Sequence, residues 1–303
     1  MKMRAFIYVI LAGVMWGTSG IFVHYLSPYG FSPLQMVAVR GSVSTVCMLL
    51  IALLTDRSVF RIKGKELLLF MANGVALFGS AGFYYTAMKM TSVSTAVVLL
   101  YTAPIYVAIL SVWMFSERLS GSKIVSILFM IVGCGLVSGI VGGAKFEPVG
   151  ILVGVINGMA YAAYNLITKY AMRKGAHPAS TNLYSFIFMS AISLSVSKPW
   201  EMPEYISKNP VVTIPLLIAL GLVTFIIPFY IYTLGMRALP AATASALGVV
   251  EPMAATLFSV MLLGEKLDLF ATVGIILILV AVVMLGASDG EKKQKKEKAD
   301  EKL

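Results

Sequence analysis

Apolar residues in this chain gather into runs of about 20, the length that a helix rising 1.5 Å per residue needs to cross a bilayer. Polar residues are confined to the short joints between the runs. The pattern predicts ten spanning helices, over residues 4–26, 34–54, 67–88, 93–115, 123–140, 148–172, 178–197, 211–237, 240–263 and 267–286. The joints hold the turn-forming and charged residues, among them Ser27-Pro28-Tyr29-Gly30, Asp56-Arg57, Glu117-Arg118 and Glu265-Lys266. Residues 288–303 form a charged, low-complexity tail whose composition predicts disorder. The first run follows Met1-Lys-Met-Arg, is too long for a secretory leader and is followed by no small-residue cleavage site. It reads as a retained first helix.

Composition fits this reading. Of 303 residues, 59% are hydrophobic and 13% charged, against roughly 25% charged in soluble domains. Such a chain cannot cover its apolar surface in water, so the lipid bilayer is its solvent. The net charge is +10, and its placement points to membrane orientation, with no nucleic-acid partner. If the N-terminus lies inside, the inner segments hold Lys2, Arg4, Arg57, Arg61, Lys63, Lys65, Arg118, Lys123, Lys169, Arg173, Lys174, Arg237 and the tail lysines. The outer segments hold only Lys89, Lys145, Lys198, Lys208 and Lys266. That asymmetry predicts a multi-pass protein of the cytoplasmic membrane with both termini in the cytoplasm. Cys47 and Cys134 sit in apolar runs and read as small hydrophobes.

The two halves of the chain repeat each other. Pro104 and Pro252 are 148 residues apart, as are Glu117 and Glu265, Tyr84 and Tyr232, Met88 and Met236, and Thr95 and Thr243. Ser111-Val-Trp-Met-Phe-Ser-Glu-Arg-Leu recurs as Ser259-Val-Met-Leu-Leu-Gly-Glu-Lys-Leu. Nearer the start the offset is 141, with Leu11-Ala-Gly-Val-Met-Trp-Gly matching Leu152-Val-Gly-Val-Ile-Asn-Gly. Residues 1–141 and 148–287 are therefore two five-helix units. Five is odd, so the second unit is inverted across the membrane relative to the first, an architecture of secondary transporters.

These residues carry a resemblance. Each copy has a Tyr-x3-Met tract, small residues, a mid-helix proline and a closing Glu-Arg/Lys-Leu. Jointly placed, they resemble the drug/metabolite transporter superfamily, in particular its EamA family, over residues 5–140 and 149–286. The resemblance implies a ten-helix bundle with a central cavity and export of amino acids or other small metabolites.

Arg40 and Glu251 are the strongly charged residues that fall well inside the predicted spans. Charge at that depth marks a functional site or an internal pair. Glu251 lies about 16 Å into its helix and Arg40 about 9 Å into its own, at 1.5 Å per residue. Three readings of Glu251 stay open. It binds a cationic group of a substrate; it carries a proton, since a carboxyl withdrawn from water holds its proton more tightly; or it pairs with Arg40 to hold the bundle together. Pro252 and its mirror Pro104 remove backbone donors mid-helix and are hinge candidates, with a static packing kink as the alternative.

Asn157, Tyr161, Tyr164 and Thr168 lie at helical spacing on one face, and such a stripe should face the bundle interior. The matching stretch of the first half offers Trp16 and Ser19. Tyr84, Tyr101 and Tyr232 fall at similar depth. Trp16, Ser19, Arg40, Tyr84, Tyr101, Asn157, Tyr161, Tyr164, Tyr232 and Glu251 are thus the candidate lining of a central, aromatic-walled cavity. That lining suits zwitterions with apolar side chains, or aromatic metabolites.

Gly17-Thr-Ser-Gly20 matches the G-x-S-G of intramembrane serine proteases, but His24 on the same helix is poorly placed as its base. No phosphate-binding loop, metal-ligand cluster or dinucleotide fingerprint appears in the sequence. The chain therefore reads as a non-enzyme without cofactor or metal. The function expected is a secondary or facilitative carrier of small organic solutes, as a monomer or homodimer, exporting amino acids or related metabolites, with proton coupling open. The alternatives are an uptake or exchange carrier for another metabolite, such as a nucleotide sugar, and a membrane sensor or scaffold that transports nothing.

Overall fold

The computed structural model describes residues 2–139, 147–264, 266 and 268–300, with side chains as far as Ala287. Glu265 and Lys145, used in the sequence argument, lie outside the described residues. Described residues form α1 (Lys2–Tyr29), α2 (Pro33–Thr55), α3 (Gly64–Met90), α4 (Val93–Phe115), α5 (Gly121–Val137), α6 (Pro148–Arg173), α7 (Pro178–Val196), α8 (Pro210–Ala238), α9 (Ala241–Leu263) and α10 (Leu269–Asp300). Among the described residues, nine of these are long and apolar enough to cross a membrane, and α5, with 17 residues, is at the short end of that range. A short helix, Met202–Ser207, lies between α7 and α8. α10 continues to Asp300, where composition predicts a disordered tail from residue 288. Lys, Glu, Gln and Ala are good helix formers, and an existing helix is extended without a new nucleus.

The packing repeats as the sequence does. α1 packs on α8 and α9, and its counterpart α6 packs on α3 and α4. α5 packs on its own counterpart α10, and α2 on its counterpart α7. At the α5–α10 contact, a Cβ on Gly133 would lie 2.8 Å from the Gly274 carbonyl oxygen, and one on Gly274 would lie 2.6 Å from the Gly133 carbonyl oxygen. Lipid tails are as apolar as leucine, so helices in a bilayer are held by close packing and hydrogen bonds, and small residues allow the approach. Buried amides supply the hydrogen bonds. Asn73 of α3 donates to Thr168 of α6 at 3.2 Å and to Ser185 of α7 at 3.1 Å, and Thr233 of α8 donates to Asn182 of α7 at 3.0 Å. Each such bond contributes about 0.6 kcal/mol on average inside a membrane.

Four helices that the apolar pattern predicts as continuous are broken. α1 turns at Thr18, whose hydroxyl donates to the Met15 carbonyl at 2.7 Å. α4 turns at Tyr101–Thr102 and α9 at Gly248–Val249, 147 residues later. Both breaks stand just before a proline. Pro252 has no amide to offer the Gly248 carbonyl, which instead accepts from Glu251 at 3.0 Å. α8 carries a π-turn at Leu222–Ile226, ahead of Pro228. Equivalent glycines seat two of the breaks. A Cβ on Gly17 of α1 would meet Ala254 Cβ at 2.8 Å and the Glu251 carbonyl at 2.9 Å. One on Gly158 of α6 would meet the Leu99 carbonyl and Thr102 Oγ1, both at 2.7 Å.

Candidate functional site

The breaks surround a cavity of about 550 Å³ in the half of the bundle that ends at Tyr29. Its walls come from α1 on either side of its break (Trp16, Ser19, Gly20), the start of α2 (Pro33 to Arg40), the end of α3 (Ser80, Tyr84, Met88) and the start of α4 (Ser94, Val97, Tyr101). α5, α6 (Tyr161), α8 and α9 complete it, with Glu251, Pro252 and Thr256 from α9. Among the predicted site residues, Trp16, Ser19, Arg40, Tyr84, Tyr101, Tyr161, Glu251 and the hinge candidate Pro252 line this space.

Asn157, Tyr164 and Tyr232 do not line it, which corrects the sequence reading. Asn157 is fully buried and accepts from Ser80, a cavity residue, at 3.0 Å. Tyr232 donates its hydroxyl to Asn165, and its ring meets Trp16 at 5.2 Å. Tyr164 is buried between Tyr161, stacked at 6.0 Å, and Phe229 at 5.6 Å. The three form the layer beneath the cavity floor. Helical spacing places residues on a common face but cannot say how far each is from the axis of the bundle. Pro104 is buried and stands behind Tyr101 in the chain, also away from the cavity lining.

Polar atoms in the cavity wall lack partners. Trp16 Nε1, Arg40 Nε and the Tyr101 hydroxyl are buried with no hydrogen-bond partner among the described residues. Such atoms are rare in native interiors and ask for a ligand or water. Arg40 and Glu251 face the same space, and among the described residues no ion pair joins them. The Arg40 guanidinium lies instead over the Phe225 ring, 5.2 Å from its centroid. A cation on one wall and an acid on another, with no ion pair between them among the described residues, can hold the two ends of one small molecule.

The opposite end of the bundle is closed by a polar cluster in which Lys123 and Lys169 are buried and Glu117 half-buried. Glu117, just beyond α4, accepts from the amides of Ala241 and Ala242 at 2.8 and 3.4 Å. Those are the first amides of α9, so the end of α4 and the start of α9 share one face of the bundle and the two repeats run in opposite senses. Pro240 precedes α9 and offers no capping side chain. Lys169 of α6 donates to the Met236 carbonyl at 2.7 Å and to that of Leu239. An acid thus sits on a helix start and a cation on a helix end, as the peptide dipoles favour. Lys123 donates to Thr243 at 2.9 Å, and Arg173 to the Phe115 carbonyl at 2.9 Å.

Sequence reasoning assigned Lys169 only to a charge count and missed Phe225 and Phe229. A signal for Lys169 was present, since it continues the Tyr161, Asn165 face at spacing four. Phe225 and Phe229 stand four apart around Pro228, a pattern that reads equally as lipid contact.

Comparison with known proteins agrees with this architecture. A family model for the EamA-like transporter family matches residues 3–139 and 148–287. An "Uncharacterized transporter YwfM" of Bacillus subtilis is 26% identical over 288 residues, covering 95% of each chain. An "Uncharacterized transporter" of Archaeoglobus fulgidus is 28% identical over 278 residues, 91% of this chain and 94% of that one. A solved structure titled "Crystal structure of protein" superposes with a TM-score of 0.79 at 20% identity, over 94% of this chain and 96% of the other.

Proposed function

Since this chain belongs to the EamA-like transporter family, we propose that it is a secondary carrier exporting amino acids or related small metabolites across the cytoplasmic membrane by alternating access. The observation that carries the cargo class is the pair of opposed charges, Arg40 and Glu251, lining one cavity with no ion pair between them among the described residues. A zwitterion supplies a carboxylate to the first and an ammonium to the second. The aromatic remainder of the wall, Trp16, Tyr84, Tyr101, Tyr161 and Phe229, suits an apolar side chain. With both termini in the cytoplasm, the cavity faces outward and the Glu117–Lys169 cluster closes the cytoplasmic side. The arrangement then corresponds to the outward-facing state of a carrier built from inverted repeats.

The test is flux in liposomes, for a panel of amino acids and aromatic metabolites, with and without an imposed pH gradient. Saturable flux of at least one zwitterion is the expected result, and a response to the gradient would add proton coupling. Folded protein that moves no zwitterion, yet moves a neutral or singly charged solute, would overturn the cargo assignment.

A further inference from the structure

The π-turn of α8 has a local cause and a consequence for Arg40. Pro228 cannot donate to the Thr224 carbonyl, and just before it Ile227 donates to Leu222, five residues back. Such turns are scarce and gather at functional sites. Here the turn meets α2 where Arg40 emerges. A Cβ on Gly221 would fall 2.6 Å from Val43 Cγ1, so the absence of a side chain lets α8 close on α2. The Ser44 hydroxyl lies between the Arg40 carbonyl, at 2.6 Å, and the Gly221 carbonyl, at 3.2 Å, tying the two helices at that level. The turn then presents the Phe225 ring, itself packed on Phe229 at 4.5 Å, to the Arg40 guanidinium, whose Cζ lies 5.2 Å from the ring centroid.

We propose that Phe225 is a positioning residue for the carried solute, because it fixes Arg40 as a side-on carboxylate receptor. With the guanidinium held against the ring, its Nε–H remains unspent, and together with a neighbouring Nη–H it forms the edge that a carboxylate would take. Nε is the atom without a partner among the described residues. A planar carboxylate matches two parallel N–H donors, and a lysine ammonium cannot reproduce that fork. This inference rests on the reading of the cavity as the substrate site, and it adds which residue makes that site select a carboxylate.

The experiment is isothermal titration of the protein in nanodiscs with two probes that share an aromatic ring, 3-phenylpropanoate and 2-phenylethylamine. Phe225→Leu is expected to weaken 3-phenylpropanoate by about tenfold, the order of a desolvated cation–ring contact, and to leave 2-phenylethylamine within about twofold. Phe225→Trp, which keeps an aromatic face, should restore the carboxylate probe, whereas Arg40→Lys should lose it as fully as Arg40→Gln. If Arg40→Gln loses the carboxylate probe but Phe225→Leu does not, the positioning role fails and the site stands. Equal weakening of both probes by Phe225→Leu would make its role merely structural and also overturn the proposal. No loss of the carboxylate probe in Arg40→Gln, or no binding of it by the wild type, would overturn the site reading itself.

Discussion

Glu117 caps a helix of the other repeat: its carboxylate accepts a hydrogen bond from the Ala241 amide, at 2.8 Å, across 124 positions of chain. The equivalent position 148 residues before Pro240 is Ser92, which caps its own helix by accepting from the Thr95 amide at 3.1 Å. Among the described residues, α4 is capped from within and α9 from across the bundle. Under the proposed alternating access, this contact between the end of α4 and the start of α9 closes one end of the bundle and must break for that end to open.

Replacing Glu117 by Ala should remove that contact. Loss of a helix cap costs on the order of 1 kcal/mol, and here the loss falls on the closed inner end. A cysteine at Ala246, buried in α9, is expected to gain reactivity toward an impermeant thiol reagent from the cytoplasmic side in Glu117→Ala, while one at Ala81, in the cavity wall, loses it. Unchanged labelling at both positions would show that Glu117 does not hold the gate.

Glu251→Gln separates two roles of the acid. A glutamine imitates a permanently protonated carboxyl, so a pure proton carrier should lose gradient-driven net flux and keep solute exchange. A residue that binds the solute's ammonium should lose both. We expect both to fall by about tenfold or more, roughly 1.4 kcal/mol or greater, with the melting temperature within about 4 °C of wild type. Exchange flux in liposomes preloaded with the same solute is the readout.

Tyr232→Phe tests the layer beneath the cavity. The hydroxyl donates to Asn165 in a fully buried setting, and removing it leaves an acceptor without its donor, at a cost of about 1–3 kcal/mol. Thermal stability should drop, while solute affinity stays within about twofold of wild type. A large loss of affinity with unchanged stability would return Tyr232 to the lining.

Gly17→Val and Gly158→Val should be similarly harmful, since each added side chain meets the backbone of the broken helix it packs against. Overpacking of this kind costs typically about 1–3 kcal/mol. If the broken helices also move during transport, both variants should slow flux more than they lower stability. Wild-type flux and stability for either variant would show that the close approach is dispensable.

Much of this protein was decided along the line of the chain. Ten apolar runs of bilayer length, and the constant offset that pairs Pro104 with Pro252, are one-dimensional quantities, and in a bilayer they suffice for ten helices in two inverted copies. The lining role of Arg40 and Glu251 was legible for a similar reason, because charge at that depth is tolerated where it faces an interior space. Tertiary structure alone decided that Asn157, Tyr164 and Tyr232 lie under the cavity floor, that Phe225 carries Arg40 and that Glu117 caps α9. Each depends on how far a helix is rotated about its axis and how closely its neighbour approaches. Those quantities are set by contacts such as Gly221 against Val43, between residues that hydropathy and spacing leave unrelated.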